Sequence, residues 1–278
     1  MNPTPWRLMI HPPARGDRNM AVDEAILEAA REGRVPPTLR LYAWEPACLS
    51  LGYAQSFGDV DLAALHQRGW HVVRRPTGGR AILHTDELTY SVTGPQDEPR
   101  LAGSVLESYR RLSAALLEAL HRLNLPAEVA SPRLDANPGS ARAALHGPVC
   151  FEVPSDYEIV AGGKKLIGSA QARRKGGVLQ HGSLPLYGDL TRIVQVLAFP
   201  GDGARSVAAN RLLERATTAE SVSGRVIPWQ AAAEAFVAAF EQVLDLELAP
   251  GDLTADEISR AEELVREKYG HVDWTERV

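Results

Sequence analysis

The order of its short strand-like runs constrains this chain most. Five such runs fall between residues 38 and 93, at 38–44, 48–51, 71–75, 81–84 and 88–93. The first alternates Leu39, Leu41 and Ala43 against Arg40 and Tyr42, the two-residue period of a strand. Four more follow a long gap, at 149–153, 157–160, 165–170 and 178–184. The helical patterns stand apart from them. Residues 19–32 read as a helix capped by Asn19, with Ala21, Ala25, Ile26 and Ala29 on one face, closed by Gly33 and the Pro36-Pro37 pair. Residues 104–123 repeat Val105, Tyr109, Leu112, Leu116, Leu120 and Leu123 at three- and four-residue spacing. Residues 231–243 form an Ala-rich amphipathic run behind Pro228, placed as an N1 proline. Hairpin-like strands with helices inserted are not a regular βαβα alternation. They predict an α+β fold with mixed, largely antiparallel sheets flanked by helices.

The remaining segments are connections and a tail. Residues 130–148 are rich in Ala, Pro, Ser and Gly and read as a long loop. Thr254 and Glu257 have capping-box spacing, and Gly270 is placed as the glycine that closes the last helix. A length of 278 residues allows one large domain or two. With 30 basic and 35 acidic side chains the net charge is −5, which argues against a nucleic-acid binder. Nothing reaches 18 consecutive apolar residues, so no membrane span is expected. The start is cut by Pro3, Pro5, Pro12 and Pro13 and carries no signal-peptide core, so a cytoplasmic protein is expected. Two cysteines, Cys48 and Cys150, make neither a disulfide framework nor a four-thiolate zinc site. No His-x-x-x-His or Cys-x-x-Cys pair is present, so neither a metal nor another cofactor is expected.

Three constellations carry chemistry. In Arg74-Arg75-Pro-Thr-Gly78-Gly79-Arg80-Ala-Ile-Leu-His84 two glycines at a strand end allow a ligand to approach the backbone closely. Residues 62–85 hold no acidic side chain, and the arginines suit a phosphate- or carboxylate-bearing group. The spacing equally fits a β-turn on a basic face, and it is not a P-loop. In Gly162-Gly163-Lys164-Lys165-Leu-Ile-Gly168-Ser169-Ala170 the glycine pair reads as a tight turn, and the small residues leave room for a ligand chain along the strand. Residues 159–188 are again free of acids, a pattern that also fits a solvated basic hairpin. Cys150 ends the long loop. A lone cysteine is usually a small buried hydrophobe, but a nearby lysine such as Lys165 would lower its pKa towards the reactive thiolate. Cys48, beside Trp44, Leu49 and Leu51, reads as core. His84 and His181 are polar candidates that also fit structural histidines.

Taken together, RRPTGGRAILH, GGKKLIGSAQ and LQHGSL resemble the lipoate–biotin protein ligase superfamily, whose members attach lipoyl, octanoyl or biotinyl groups to a lysine of an acceptor domain. The match runs from the NMAVDEAIL helix to the EELVREKYG helix. Within the superfamily, the run from Cys150 through Phe151, Pro154, Ser155 and Tyr157 to Glu158 is most similar to LipM-type octanoyltransferases. The resemblance implies the biotin/lipoate protein ligase fold and a catalytic domain at residues 33–248. Helix 19–32 would pack on it and residues 249–278 would form a short helical tail. It implies Cys150 as acyl-thioester nucleophile, with Lys165 at the ligand carbonyl. Arg75, Gly78, Gly79, Arg80 and His84 would line the donor side, Gly168, Ser169 and Ala170 the acyl chain, and His181 and Gly182 would close the site. The implied donor is octanoyl-acyl carrier protein. The implied acceptors are lipoyl-domain proteins, the glycine-cleavage H protein first. Competing readings are an ATP-dependent lipoate ligase, an octanoyl amidotransferase between lipoyl domains, and a non-catalytic binder of lipoyl or biotinyl adenylates.

Overall fold

Strand β6 (Glu87–Pro95) organises the architecture, because every residue but its last is buried and both of its faces are therefore covered. Leu88, Tyr90 and Val92 point into one core, while Glu87, Thr89, Ser91 and Thr93 line the opposite face as buried polar groups. The structure, a computed structural model, describes residues 4–130 and 158–278. Among these, β6 pairs antiparallel with β2 (Thr38–Tyr42) and with β10 (Gly177–Pro185). The sheet extends beyond β2 through β1 (Thr4–Ile10) and β11 (Leu246–Pro250), both parallel. Beyond β10 it continues antiparallel through β9 (Lys164–Arg174), β8 (Ile159–Ala161) and β7 (Ala127–Val129). A second sheet sets β3 (Cys48–Leu51) between a parallel β4 (His71–Arg74) and an antiparallel β5 (Ile82–His84). The mixed, largely antiparallel sheets expected from the sequence are present.

Helices cover both faces of the large sheet. On one side α3 (Val105–Arg122), started by a Ser104–Glu107 capping box, inserts Leu112, Leu116 and Leu120. On the other, α1 (Gly16–Arg31) lays Met20, Ala21, Ala25 and Ile26 against Met9, Tyr42 and Trp44. The short α2 (Leu62–Gln67) and α4 (Asp202–Arg215) bury Leu65 and Leu212 with Leu49 and Leu51 of the small sheet. After the one-turn α5 (Ala219–Ser223), α6 (Trp229–Leu244) joins α3 and sets Phe236 and Phe240 beside Tyr90. The last helices are α7 (Ala255–Leu264), tied with the turn after it to the body by ion pairs, and α8 (Val272–Thr275), held by hydrogen bonds to Arg74. Arg7 meets Glu257 at 2.5 Å and Lys268 meets Glu24 at 2.6 Å. No helix among the described residues is long and apolar enough to cross a membrane.

Four local readings of the sequence change. The Pro-rich start, to which the sequence reading assigned no element, forms β1, with Pro5 near the strand's beginning and Trp6 fully buried. Asn19 does not cap α1, which starts at Gly16 after an extended Arg15. Its side chain is buried instead, donating to the carbonyls of Ala14 and Ala43 and accepting from Arg40, so long-range partners override a local cap preference. Pro228 sits one residue before the first helical position. Gly270 has φ −92° rather than a left-handed conformation, because α7 runs on into a π-turn at Val265–Tyr269 that the Gly270 N–H closes onto Val265 O. The loop expected at 130–148 (save Ala130) and the strand at 149–153 lie outside the described residues.

Candidate active site

The site grows from the β8–β9 hairpin. Gly162 and Gly163 turn with φ of +56° and +73°, the all-left-handed two-residue turn that only small residues enter easily, and Ala161 then faces Lys164. This register turns the next side chain, Lys165, inward. Its Nζ is buried 2.6 Å from Glu158 Oε1, so the carboxylate offsets the cost of taking the ammonium out of water. Glu158 closes the sequence run that begins at Cys150. Cys150 lies outside the described residues.

Further along β9, Gly168, Ser169 and Ala170 stand opposite Ser183, Gly182 and His181 of β10. They form one wall of a pocket whose other walls include Met20, Trp44, Arg75, Ile82 and His84. Gly182 is needed for close approach. A β-carbon there would lie 2.5 Å from the Gly168 carbonyl oxygen and 2.7 Å from the Tyr90 ring. Tyr90 occupies that space and its hydroxyl lies 2.7 Å from Ser169 Oγ.

Each pocket histidine is tied to a buried carboxylate. His181 Nε2 lies 2.7 Å from Thr77 Oγ1, and its Nδ1 faces Asp23 Oδ2 at 3.7 Å. Burial would raise the Asp23 carboxyl, but Arg40 at 2.7 Å, together with His181, brings it below its ordinary value. Tyr42 and Ser91 also donate to it, at 2.9 and 2.8 Å. Burial lowers the His181 pKa despite Asp23, so the imidazole is neutral near pH 7. His84 Nδ1 is 2.6 Å from Glu87 Oε1, Nε2 is 2.7 Å from Ser50 Oγ, and the ring stacks on Trp44 with centroids 4.0 Å apart. Arg75 donates to Ser50 Oγ at 3.1 Å. A carboxylate only accepts, so Nδ1 is a ring nitrogen that donates, to Glu87.

The Arg75–Arg80 segment divides into two roles. Arg75 is buried and clamps its own loop, donating to Gly78 O at 2.9 Å and Arg80 O at 2.7 Å. Gly78, Gly79 and Arg80 lie on the far side of that clamp, lining an open groove next to Arg174. Arg74 is structural: it is fully buried and donates to the carbonyls of Gly52, Gln55 and Thr275. Cys48 is core, its thiol raised above the ordinary value by burial. Among the described residues no His/Cys/Asp/Glu cluster could hold a metal ion.

Thus His84, Gly168, Ser169, Ala170, His181 and Gly182 meet at one pocket with Arg75, while Gly78, Gly79 and Arg80 belong to the adjoining groove. Sequence reasoning missed Met20, Asp23, Tyr42, Ser50, Thr77 and Glu87. Only Asp23 left a signal, as a carboxylate within the small-residue face of α1. A narrow pocket with a wall of small residues and fixed polar groups at its edges fits an unbranched chain bearing a polar head.

Residues 15–241 match the lipoyl protein ligase A/B catalytic domain. Octanoyltransferase LipM of Brevibacillus brevis is 42% identical over 279 residues, covering 98% of this chain and 99% of that one. Octanoyltransferase LipM of Kyrpidia tusciae is 44% identical over 273 residues, covering 98% of each. Among solved structures, the bipartite lipoate protein ligase of Thermoplasma acidophilum superposes with a TM-score of 0.81 at 25% identity, over 98% of this chain and 96% of that one. A lipoate-protein ligase A bound with ATP gives 0.78 at 26% identity, over 98% and 99%.

Proposed function

The chain belongs to the lipoyl protein ligase A/B catalytic domain family, and from that footing we propose that it is an acyltransferase moving octanoyl groups onto lipoyl domains in lipoate biosynthesis. Near-full-length identity of 42% and 44% to octanoyltransferases carries this reading. The donor is octanoyl-acyl carrier protein. The acceptor is a lysine of a lipoyl domain, that of the glycine-cleavage H protein first. Both meet the enzyme in the cytoplasm.

The Cys150 thiolate attacks the thioester carbonyl of the donor. A new S–C bond forms at Cys150, the carrier's thiolate leaves, and it takes up a proton. The uncharged acceptor amine then attacks the acyl-enzyme; the N–C bond forms as the Cys150 S–C bond breaks, the amine loses one proton to solvent, and the Cys150 thiolate returns. Exchange of one thioester for another is nearly isoenergetic and thioester to amide is downhill, so ATP has no part. Lys165 is the cation that stabilises the thiolate and the developing oxyanion. Its burial beside Glu158 supports this, since a fixed charge in a dry site acts more strongly than a solvated one. Gly168, Ser169 and Ala170 flank the acyl chain, His181 and Gly182 close the pocket, and Arg75 with His84 fixes its donor side. Gly78, Gly79 and Arg80 receive the arm that delivers the chain.

The likeness to lipoate ligases, one of them bound with ATP, keeps one alternative in view: activation of free lipoate by ATP. The two part cleanly in one assay. Purified protein mixed with octanoyl-acyl carrier protein and a lipoyl domain, without ATP, is expected to label the lipoyl domain. Intact-protein mass spectrometry is expected to find a hydroxylamine-labile octanoyl adduct on Cys150, and Cys150→Ser to abolish both. Full activity of that variant with lipoate and ATP would establish the ligase instead.

A further inference from the structure

The groove beyond the Arg75 clamp has a chemistry of its own. It measures about 830 Å³, and its described lining, which includes Tyr53, Pro76, Gly79, Arg80 and Arg174, holds no carboxylate. Tyr53 is the centre of its positive charge. The Arg277 guanidinium lies 3.9 Å from the Tyr53 ring centroid and that of Arg174 lies 4.7 Å away. Arg174 also donates to Pro76 O at 3.1 Å. Aromatic faces and a carbonyl orient these guanidiniums without neutralising them, and neither forms an ion pair among the described residues. Neighbouring cations are accounted for otherwise. Lys268 is matched by Glu24, and Arg173 is spent on the carbonyls of Leu101, Gly103 and Ser104.

The arrangement is rigidly built. Trp274 packs edge-on against Tyr53 and donates its indole N–H to Arg74 O at 2.8 Å. Arg74 in turn holds the carbonyls of Gly52 and Gln55, on either side of Tyr53, together with Thr275 O. The C-terminal turn and the Tyr53 loop are thus fastened to each other through one buried guanidinium. Arg277 is thereby held against the Tyr53 ring, beside the groove that Tyr53 lines. The groove and the acyl pocket share a wall, because Arg75, which lines the pocket, grips the backbone of Gly78 and Arg80.

We propose that Arg174 and Arg277, set around Tyr53, form a phosphodiester subsite that seats the phosphate of the donor's phosphopantetheine arm while its acyl end enters the pocket. This rests on the transfer reading above. A guanidinium presents paired N–H donors that match phosphate oxygens, and stacking on an aromatic ring pre-orders it at little further entropic cost. An acid-free groove also raises the local concentration of an anionic arm before it docks. A free anion of the same chemistry, or an acidic face of the carrier protein, would be drawn by the same charge. The donor series below separates these.

The test measures acylation of Cys150 by octanoyl-pantetheine, octanoyl-phosphopantetheine and octanoyl-acyl carrier protein. The wild-type protein is expected to favour octanoyl-phosphopantetheine over octanoyl-pantetheine by roughly tenfold in kcat/KM, mostly through KM, as one to two charge-assisted hydrogen bonds allow. Arg174→Gln/Arg277→Gln is expected to collapse that ratio towards one, and Arg174→Lys/Arg277→Lys to restore part of it. A wild-type ratio near one overturns the proposal, as does a ratio that persists in the glutamine variant. A variant slowed with the carrier protein but not in its preference for octanoyl-phosphopantetheine places the arginines against the protein face, which also overturns it. Inhibition by inorganic phosphate with no preference among the donors would mark a free-anion site and do the same. If no donor acylates Cys150 in the wild type, the transfer reading itself falls, a result distinct from loss of the ratio.

Discussion

Gly182→Ala tests whether the proposed acyl pocket depends on the close approach of β9 and β10. The new methyl carbon would lie 2.5 Å from Gly168 O, 2.6 Å from Ser169 Oγ and 2.7 Å from Tyr90 Cε1. Ordinary contact starts near 3.4 Å, so the Gly168 carbonyl has to retreat by about 0.9 Å. Ser169 can rotate away only by giving up its hydrogen bond to Tyr90. Tyr90 cannot give, because it is fully buried against Phe236 and Phe240. The strain therefore falls on the β9 backbone, which is the pocket wall. Overpacking of this kind costs about 1–3 kcal/mol, and in a chain of this size that lowers Tm by about 2–10 °C. The functional loss should be larger in proportion, since a displacement on the order of 1 Å at a reacting site costs about a hundredfold in rate. Thermal unfolding followed by circular dichroism reads the first effect, and octanoyl transfer well below Tm reads the second. Gly203→Ala, which meets nothing within 4 Å, is the control and is expected to leave both readouts near wild type. Transfer within about threefold of wild type in a variant whose Tm has fallen as expected would refute the reasoning.

Three further outcomes are expected. Asp23→Asn removes the charge on which Arg40, Tyr42 and Ser91 converge, and should cost about 3–5 kcal/mol by chemical denaturation. Asp23→Leu/Arg40→Met should recover most of that loss, and a double variant as unstable as the single one would count against this account of the pair. Burial and the Arg40 guanidinium lower His11 to about 4, and burial lowers His181 as well, against an ordinary value of 6.5. The unfolded chain then binds more protons than the folded one below pH 6.5. Stability should accordingly be full above that pH and fall towards pH 4. A flat Tm between pH 7 and 4.5 would contradict this, and His11→Asn should shallow the slope. Iodoacetamide on the native protein should spare Cys48 until the chain is unfolded, because burial raises its thiol pKa and closes access; peptide mapping decides it.

The sequence exposed most of the fold and about half of the pocket. Local periodicity located α3, α6 and the paired strands β9 and β10, because a helix face or a hairpin turn is encoded by neighbours. It missed β1, since a strand with a proline at its second position is stabilised by partners more than thirty residues away, such as Thr38 beside Arg7. Gly168, Ser169 and Ala170 were readable because small residues in a strand ask for an explanation. Ser50 and Glu87 were not, because each is an unremarkable polar residue until β3 and β6 bring them to the two nitrogens of His84. Of the arginines around Tyr53, Arg174 fell within the acid-free stretch 159–188 and Arg277 was not singled out. Their arrangement depends on a C-terminal turn fastened to the end of β4, 200 residues earlier, which in turn holds the carbonyls on either side of Tyr53.

The polar floor of the pocket is the feature that stability alone explains least. Asp23 of α1, His84 of β5, and Arg40, Glu87 and His181 of the large sheet are all buried, on the side of that sheet opposite its Leu-, Val- and Phe-packed face. Replacing a buried ion pair with apolar residues of like volume is often neutral or stabilising, so this network is not there for want of a better core. Its geometry suggests the reason. Asp23 orients His181 towards Thr77, and Glu87 orients His84 towards Ser50 and so towards the Arg75 clamp. Each histidine thus connects a carboxylate anchored on a regular element to a group at or beside the Arg75–Arg80 loop. A loop built from Pro76, Thr77, Gly78 and Gly79 has little apolar side chain with which to hold itself in place. Directional hydrogen bonds from below can fix it where apolar packing cannot, and a loop between the proposed acyl pocket and the proposed phosphate groove has to be fixed if both ends of one donor are to be held at once, as proposed.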